Sequence, residues 1–238
     1  MRNLIIDIGN TRIKTGLFWG NKLQEERWFG LLSEVTQYVE SLEKDQVLVS
    51  SVKDDMDTLQ AEWSFDFLYF DHTLPLPINN KYGTPETLGL DRLAAVIGAL
   101  DWAEGPVLTI DLGTCITYDL LDEKQSYLGG AISPGLLMRA RAMHEFTAKL
   151  PMVSVDPMVR EVGDTTVTCL QSGIYHGVKA EILGFVDQYA QNHAGLKVFI
   201  CGGDANFFES LTKDHIFVIP NLVLHGLNRI LTYNVEKN

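Results

Sequence analysis

Met1-Arg2-Asn3-Leu4-Ile5-Ile6-Asp7-Ile8-Gly9-Asn10-Thr11-Arg12-Ile13-Lys14 decides the fold. Leu4 to Ile6 is a short apolar run with β-branched residues and reads as a buried strand. It runs into an acid, a glycine and two small polar residues. Arg12 to Phe18 then alternates polar and apolar side chains, as a returning strand does. Asp7 to Thr11 therefore lies at the tip of a hairpin. Gly9 lets a ligand approach the backbone, and successive N–H groups in such a turn form a concave anion site. The acid repels phosphate, but it holds a hydrated Mg²⁺ whose other face meets phosphate oxygens. Taken alone, the motif reads better as an ordinary hairpin turn built from favourable turn residues.

The unit recurs. Val107 to Ile110 is a strand, Asp111-Leu112-Gly113-Thr114 follows it, and Ile116 to Leu121 returns. Two strand–acid–Gly–Thr–strand units, each opening a half of similar length, point to a duplicated domain. On this ground the chain resembles the actin, sugar-kinase and heat-shock ATPase superfamily. The resemblance implies an α/β fold of two actin-like (ribonuclease H-like) domains, 1–104 and 105–238, with mixed sheets and a cleft between them. The sequence carries neither a G-x-x-x-x-G-K-[ST] loop nor a G-x-G-x-x-G fingerprint.

Composition narrows the function classes. With 238 residues, 46% of them hydrophobic, the chain can bury real cores. A net charge of -12 argues against a nucleic-acid partner, which is held by neutralising phosphates with Lys and Arg. No apolar run spans a bilayer, and Asp7 interrupts any signal-peptide core, so the expectation is a cytoplasmic protein with no membrane partner. Cys115, Cys169 and Cys201 form no zinc spacing or redox pair and read as small apolar residues in a reducing compartment.

Further along, Lys22 to Phe29 reads as a third strand, and Ser33 as the cap of a helix to about Leu42. Val47 to Ser50 and Phe65 to Phe70 read as strands around a helix from Asp54 to Trp63. This alternation is α/β. Asp71 to Gly89, with Pro75, Pro77 and Pro85, reads as a long ordered loop of the kind that carries function. Leu90, Leu93, Ala94, Ile97 and Leu100 repeat at helical spacing, which puts Asp91 in a first turn, where an acid suits the helix dipole. Arg92 suits that end less well and hints at a bound anion. Leu136 to Phe146 and Val167 to about Gln191 read as helices, Leu196 to Cys201 and His215 to Ile219 as strands, and Pro220 as the start of a final helix.

In this order the motifs resemble those of type III pantothenate kinases. The series is Asp7-Ile-Gly-Asn-Thr11, Tyr82 with Pro85 and Gly89-Leu-Asp-Arg92, Asp111-Leu-Gly-Thr114, Gly129 to Gly135, Gly163 to Thr166, Gly202-Gly203, and Pro220 to Leu227. The resemblance implies ATP-dependent phosphorylation of pantothenate to 4'-phosphopantothenate, the first step of coenzyme A biosynthesis, by a homodimer needing Mg²⁺ and a monovalent cation, K⁺ or NH₄⁺. It assigns Asp91 as the catalytic base and Tyr82, Gly89, Leu90, Arg92 and Thr166 to pantothenate. It assigns Asp7, Ile8, Gly9, Asn10, Thr11, Arg12, Ile13, Lys14 and Thr114 to ATP. Asp111 would hold the monovalent cation, and Asp7 the Mg²⁺ through water. Thr165 stands where the family often has Asn, preceded here by Asp164, and Cys115 where a small residue such as Ala is usual. The competing functions are a non-catalytic relative that regulates transcription, against which both phosphate acids and Asp91 argue, and a kinase for another hydroxy acid.

Overall fold

The computed structural model describes residues 1–10 and 12–237. In chain order its elements are β1 (Arg2–Ile8), β2 (Ile13–Trp19), β3 (Lys22–Phe29), α1 (Leu32–Glu40), β4 (Gln46–Ser51), α2 (Met56–Glu62), β5 (Leu68–Tyr69), β6 (Asn79–Asn80), α3 (Leu90–Ala99), β7 (Val107–Leu112), β8 (Cys115–Leu121), β9 (Ser126–Pro134), α4 (Leu136–Glu145), α5 (Thr166–Ala190), β10 (Lys197–Cys201), β11 (Ile216–Val218) and α6 (Leu222–Lys237). They form two units, Met1–Trp102 with Leu222–Asn238, and Ala103–Asn221.

The two units repeat one topology. In the first unit the sheet order is β3-β2-β1-β4-β5, and in the second the strands run β9-β8-β7-β10-β11. Each opens with an antiparallel meander of three strands, and each adds two parallel strands beside the first. Asp7 and Asp111 hold matching places, each next to last in the central strand.

Side-chain alternation assigns the faces of the first sheet. Leu4, Ile6, Ile8 and Ile13 turn to one side and pack with Val35 and Val39 of α1 and Leu59 of α2. Asn3, Ile5 and Asp7, with Lys14, Gly16 and Phe18 across the ladder, share the other side. α6 covers most of that side. Asn3 Nδ2 donates to Asn228 Oδ1 at 2.8 Å, and the Phe18 ring meets the His225 ring edge-on at 5.1 Å. Leu222, Leu224, Leu227, Ile230 and Leu231 of α6 are buried, each worth about 1.5–3 kcal/mol. α3 lies directly on α6, backbone to backbone: a Cβ on Gly226 would fall on the Ala94 carbonyl, and one on Gly98 on the Leu222 carbonyl. In the second unit, Leu108, Ile110, Leu112, Ile116, Tyr118 and Leu120 of the sheet pack against Leu170, Ile174, Val178, Ile182 and Val186 of α5.

The structure corrects the sequence reading in four places. Residues 222–238 belong to the first unit, not the second, because α6 closes the open face of the first sheet. Ser33 is not the cap of α1. The helix starts after Leu31, and Glu34 reaches back with Oε2 to the N–H groups of Gly30 and Leu31, both at 3.0 Å. The strand expected over Phe65–Phe70 shrinks to Leu68–Tyr69, since Phe65 and Phe67 spend their rings on Trp63, at 5.1 and 5.7 Å. The last helix begins at Leu222 rather than Pro220.

Candidate active site

In the first unit the parallel strands β1 and β4 end together, with Asp7 opposite Ser50 on one side and Lys14 on the other. The carboxyl ends of parallel strands are where α/β sheets bind ligands. Asp7 keeps some accessible surface yet is enclosed by protein. Burial pushes its carboxyl up to about 6; the charge of Asp91 adds to this, and Lys14 and a hydrogen bond from Ser50 oppose it. The chain turns after Ile8, and the Gly9 N–H donates to the Arg12 carbonyl at 3.0 Å. Asn10 and Arg12 are exposed; Thr11 lies outside the described residues. Lys14 Nζ lies 3.2 Å from Glu26 Oε1 and 4.6 Å from the centre of the Trp28 ring.

Asp91 comes to the same region from the N-terminal turn of α3. Its Oδ1 accepts the Arg92 N–H at 2.8 Å, and a Cβ on Gly89 would sit 2.6 Å from that oxygen. The glycine makes room for a carboxylate folded back over the helix end. Leu90, the first residue of the helix, is partly buried. Arg92 is only 7% exposed although charged. Its guanidinium lies over the Tyr82 ring, 5.6 Å from the centre. The structure thus brings Asp7 and Ile13–Lys14 to one strand end, and joins Tyr82 to Arg92 next to Asp91.

The second unit holds the other expected residues. Asp111 pairs in register with Thr117 and Cys201. The Gly113 N–H donates to the Cys115 carbonyl at 3.0 Å, closing a turn one residue shorter than that of the first hairpin. Gly202, at φ +93°, faces this turn: a Cβ there would strike Asp111 Oδ1 and stand 2.5 Å from the Leu112 carbonyl oxygen. Only glycine allows this approach. Asp204 donates its N–H to the same carbonyl at 3.0 Å, and burial raises its carboxyl. Thr114 is exposed, and its carbonyl accepts the Gly135 N–H at 3.1 Å. Thr166 begins α5 after its cap Thr165, whose Oγ1 accepts the Thr168 N–H at 3.2 Å. With Gly163, Asp164, Cys169 and Leu170 it lines a cavity of about 490 Å³. The acid Asp164 is spent at the surface on Arg160, 2.6 Å away.

The sequence pattern of the family described as Type III pantothenate kinase matches residues 3–188. A type III pantothenate kinase of Christiangramia forsetii is 42% identical over 240 residues, covering 98% of each chain. This protein belongs to the type III pantothenate kinase family. Two solved structures share its fold. One is a conserved protein of Campylobacter jejuni named for the Baf family of transcriptional activators, 21% identical, with a TM-score of 0.63 over 98% of this chain and 99% of that one. The other is an ROK hexokinase of Thermus thermophilus, 14% identical, with a TM-score of 0.54 over 99% and 100%. This pantothenate kinase family member and the hexokinase thus share a fold.

Four residues near these sites escaped the sequence reading. Ser50 is the strand partner of Asp7, Glu26 and Trp28 surround Lys14, and Asp204 follows the Gly202 turn. Glu26 and Trp28 carried no signal in the sequence alone, because the strand pairing sets the register that places them on the face of Lys14.

Proposed function

We infer that this protein transfers the γ-phosphoryl group of ATP to the primary hydroxyl of pantothenate, giving 4'-phosphopantothenate in coenzyme A biosynthesis. The observation that carries the reading is the convergence in the first unit of a phosphate-type hairpin, Asp7 to Lys14, with Asp91 at the head of α3, close enough for its charge to raise the Asp7 carboxyl. Asp91 is the proposed base. It takes the hydroxyl proton as the oxygen bonds to phosphorus and the bond to the ADP oxygen breaks. An ordinary aspartate suffices where the transition state is loose and the proton leaves late. Arg92 and Tyr82 are proposed to hold pantothenate, the guanidinium meeting its carboxylate, and Gly89, Leu90 and Thr166 are assigned to the same substrate. Residues 7–14 and Thr114 are assigned to ATP.

The donor set suits Mg²⁺. Among the described residues no group of three or more His, Cys, Asp or Glu side chains forms a metal cage. Mg²⁺ in nucleotide sites uses one or two carboxylates, waters and the phosphates themselves, and the crowded negative charge of Asp7 and Asp91 favours such a cation. When bound, it neutralises phosphate oxygens. Asp111 is proposed to hold K⁺ or NH₄⁺; the support is that its Oδ1 and the Leu112 carbonyl oxygen come together at the turn against which Gly202 packs.

No helix among the described residues is long and apolar enough to cross a membrane, and the three cysteines are free thiols, which fits the proposed cytoplasmic location. The test is ATP consumption over a panel of small hydroxy acids in Na⁺, K⁺ and NH₄⁺ buffers. Pantothenate should be the acceptor, faster in K⁺ or NH₄⁺. Turnover of another acid alone would overturn the substrate, and equal rates in the three salts the cation site.

A further inference from the structure

We propose that Glu26 and Trp28, on the third strand, are positioning residues that fix the Lys14 ammonium before ATP arrives. This rests on the assignment of Lys14 to the ATP site above, its ammonium being the group that would meet the phosphates.

The arrangement is written in the register. β1, β2 and β3 place Asp7, Lys14 and Trp28 in one cross-strand row. Residues two apart on a strand share a face, so Glu26 sits one step along on the same side. Its Oε1 is 3.2 Å from Lys14 Nζ, and the Trp28 ring centre is 4.6 Å away. The ammonium is thus flanked by Glu26 and the face of an indole, on the strand that also faces Asp7. The side chains of Lys14 and Glu26 are 15% and 26% exposed, so the pair is partly screened from water.

Core packing does not account for Trp28. It is 52% exposed on an edge strand, where a large apolar ring gains little from burial. As a platform it has a role: the face of an indole attracts a cation. A lysine gives up much rotamer freedom when its charge is fixed, and a charge already aimed loses less of it when a ligand binds. Glu26 supplies direction and Trp28 supplies a surface that phosphate does not displace. The third strand, otherwise a polar edge, thereby becomes part of the nucleotide site.

The test is a double-mutant cycle on the full-length protein, reading the Kd for ATP with Mg²⁺ by titration calorimetry, kcat, and the KM for pantothenate. Glu26→Gln and Trp28→Leu should each weaken ATP about 3- to 5-fold, the worth of a partly exposed ion pair or cation–π contact. Neither should move the KM for pantothenate or the melting temperature. Trp28→Phe, which keeps a ring, should recover most of the loss. In a Lys14→Met background both effects should vanish, because residues acting through one group are not additive. Full effects persisting without Lys14, or no change in ATP affinity in either single variant, would overturn the proposal. If Lys14→Met itself leaves ATP affinity unchanged, the assignment of Lys14 fails and the positioning role falls with it. If Lys14→Met weakens ATP while the strand variants do not, only the positioning role fails.

Discussion

Two carboxylates separate structural from chemical roles residue by residue. Asp91 satisfies the Arg92 N–H at 2.8 Å, which is what a plain first-turn acid does. Its role as base is therefore decided by substitution. Asp91→Asn keeps an oxygen for that hydrogen bond and loses the charge. Turnover should fall about 10²- to 10⁴-fold, the usual worth of a positioned base, while stability changes by about 1 kcal/mol or less. Steady-state rates and a melting curve on the one variant check both halves; near-normal turnover would remove Asp91 from the chemistry. Asp7 makes the opposite prediction for stability. Its carboxyl is raised to about 6, first by burial and then by Asp91. A raised acid favours the fold fully below the ordinary carboxylate range of about 4, and that contribution is lost as pH climbs through 6. Ionising it at neutral pH costs about 1–3 kcal/mol, the lower end reflecting screening through its remaining exposure. Asp7→Asn should therefore be more stable than the parent at pH 7.5, and equal to it near pH 4, in urea titrations without nucleotide. It should also lose ATP-dependent activity. A parent already as stable as the variant at pH 7.5 would show that Asp7 is not raised.

At the scale of elements, the crossing of α3 and α6 holds the proposed base in place. Gly98 and Gly226 let the two helix backbones touch, and the head of α3 carries Asp91 and Arg92. Gly226→Ala forces a methyl group onto the Ala94 carbonyl. Overpacking of this kind costs about 1–3 kcal/mol and shifts backbone. The loss should register in the urea midpoint, and kcat should fall with it as α3 moves. A variant of unchanged midpoint would mean that the helices separate freely. In the second unit a side-chain network does comparable work. Glu181 of α5 receives Ser133 at 2.5 Å, Arg139 at 2.6 Å and Tyr118 at 2.9 Å, and this ties the end of β9 to the helix. The following residue pair, Pro134–Gly135, reaches the Thr114 turn through the Gly135 N–H.

For the whole molecule, the open question is assembly. The family resemblance implies a homodimer, and the apolar excess in the helices after Thr166 and Pro220 is one candidate for its interface. For α6 that excess is used within the first unit, on the sheet face and α3. α5 likewise buries Ile174, Val178, Ile182 and Val186 in its own core. What supports a dimer through the second unit is a different set: Ile132, Leu137, Phe146, Met158 and Val162, each half or more exposed. Large exposed apolar side chains of this kind are the candidates for a contact surface. Light scattering at micromolar concentration should give twice the 26.6 kDa chain mass, and Leu137→Glu with Phe146→Ser should return a monomer. A parent that scatters as a single chain would count against the dimer.

Most of the strands, the two hairpin acids and the helix that begins at Leu90 were legible in the sequence, because each rests on local chemistry. A β-branched run makes a strand, an acid followed by Gly makes a turn, and a 3.6-residue repeat makes a helix. The doubling was legible too, since Asp7 and Asp111 follow the same pattern of residues. Three things needed the tertiary structure. The sequence reading leaves α6 with its neighbours in the chain, but the bare face formed by Asn3, Ile5 and Phe18 takes it back across more than 200 residues. Ser33 has the right chemistry for a cap, but Glu34 bonds the N–H groups of Gly30 and Leu31 first. The surroundings of Lys14 depend on register, which is a property of paired strands and not of either strand alone. Local preference settles which elements form; burial of the faces they leave open settles where each one goes.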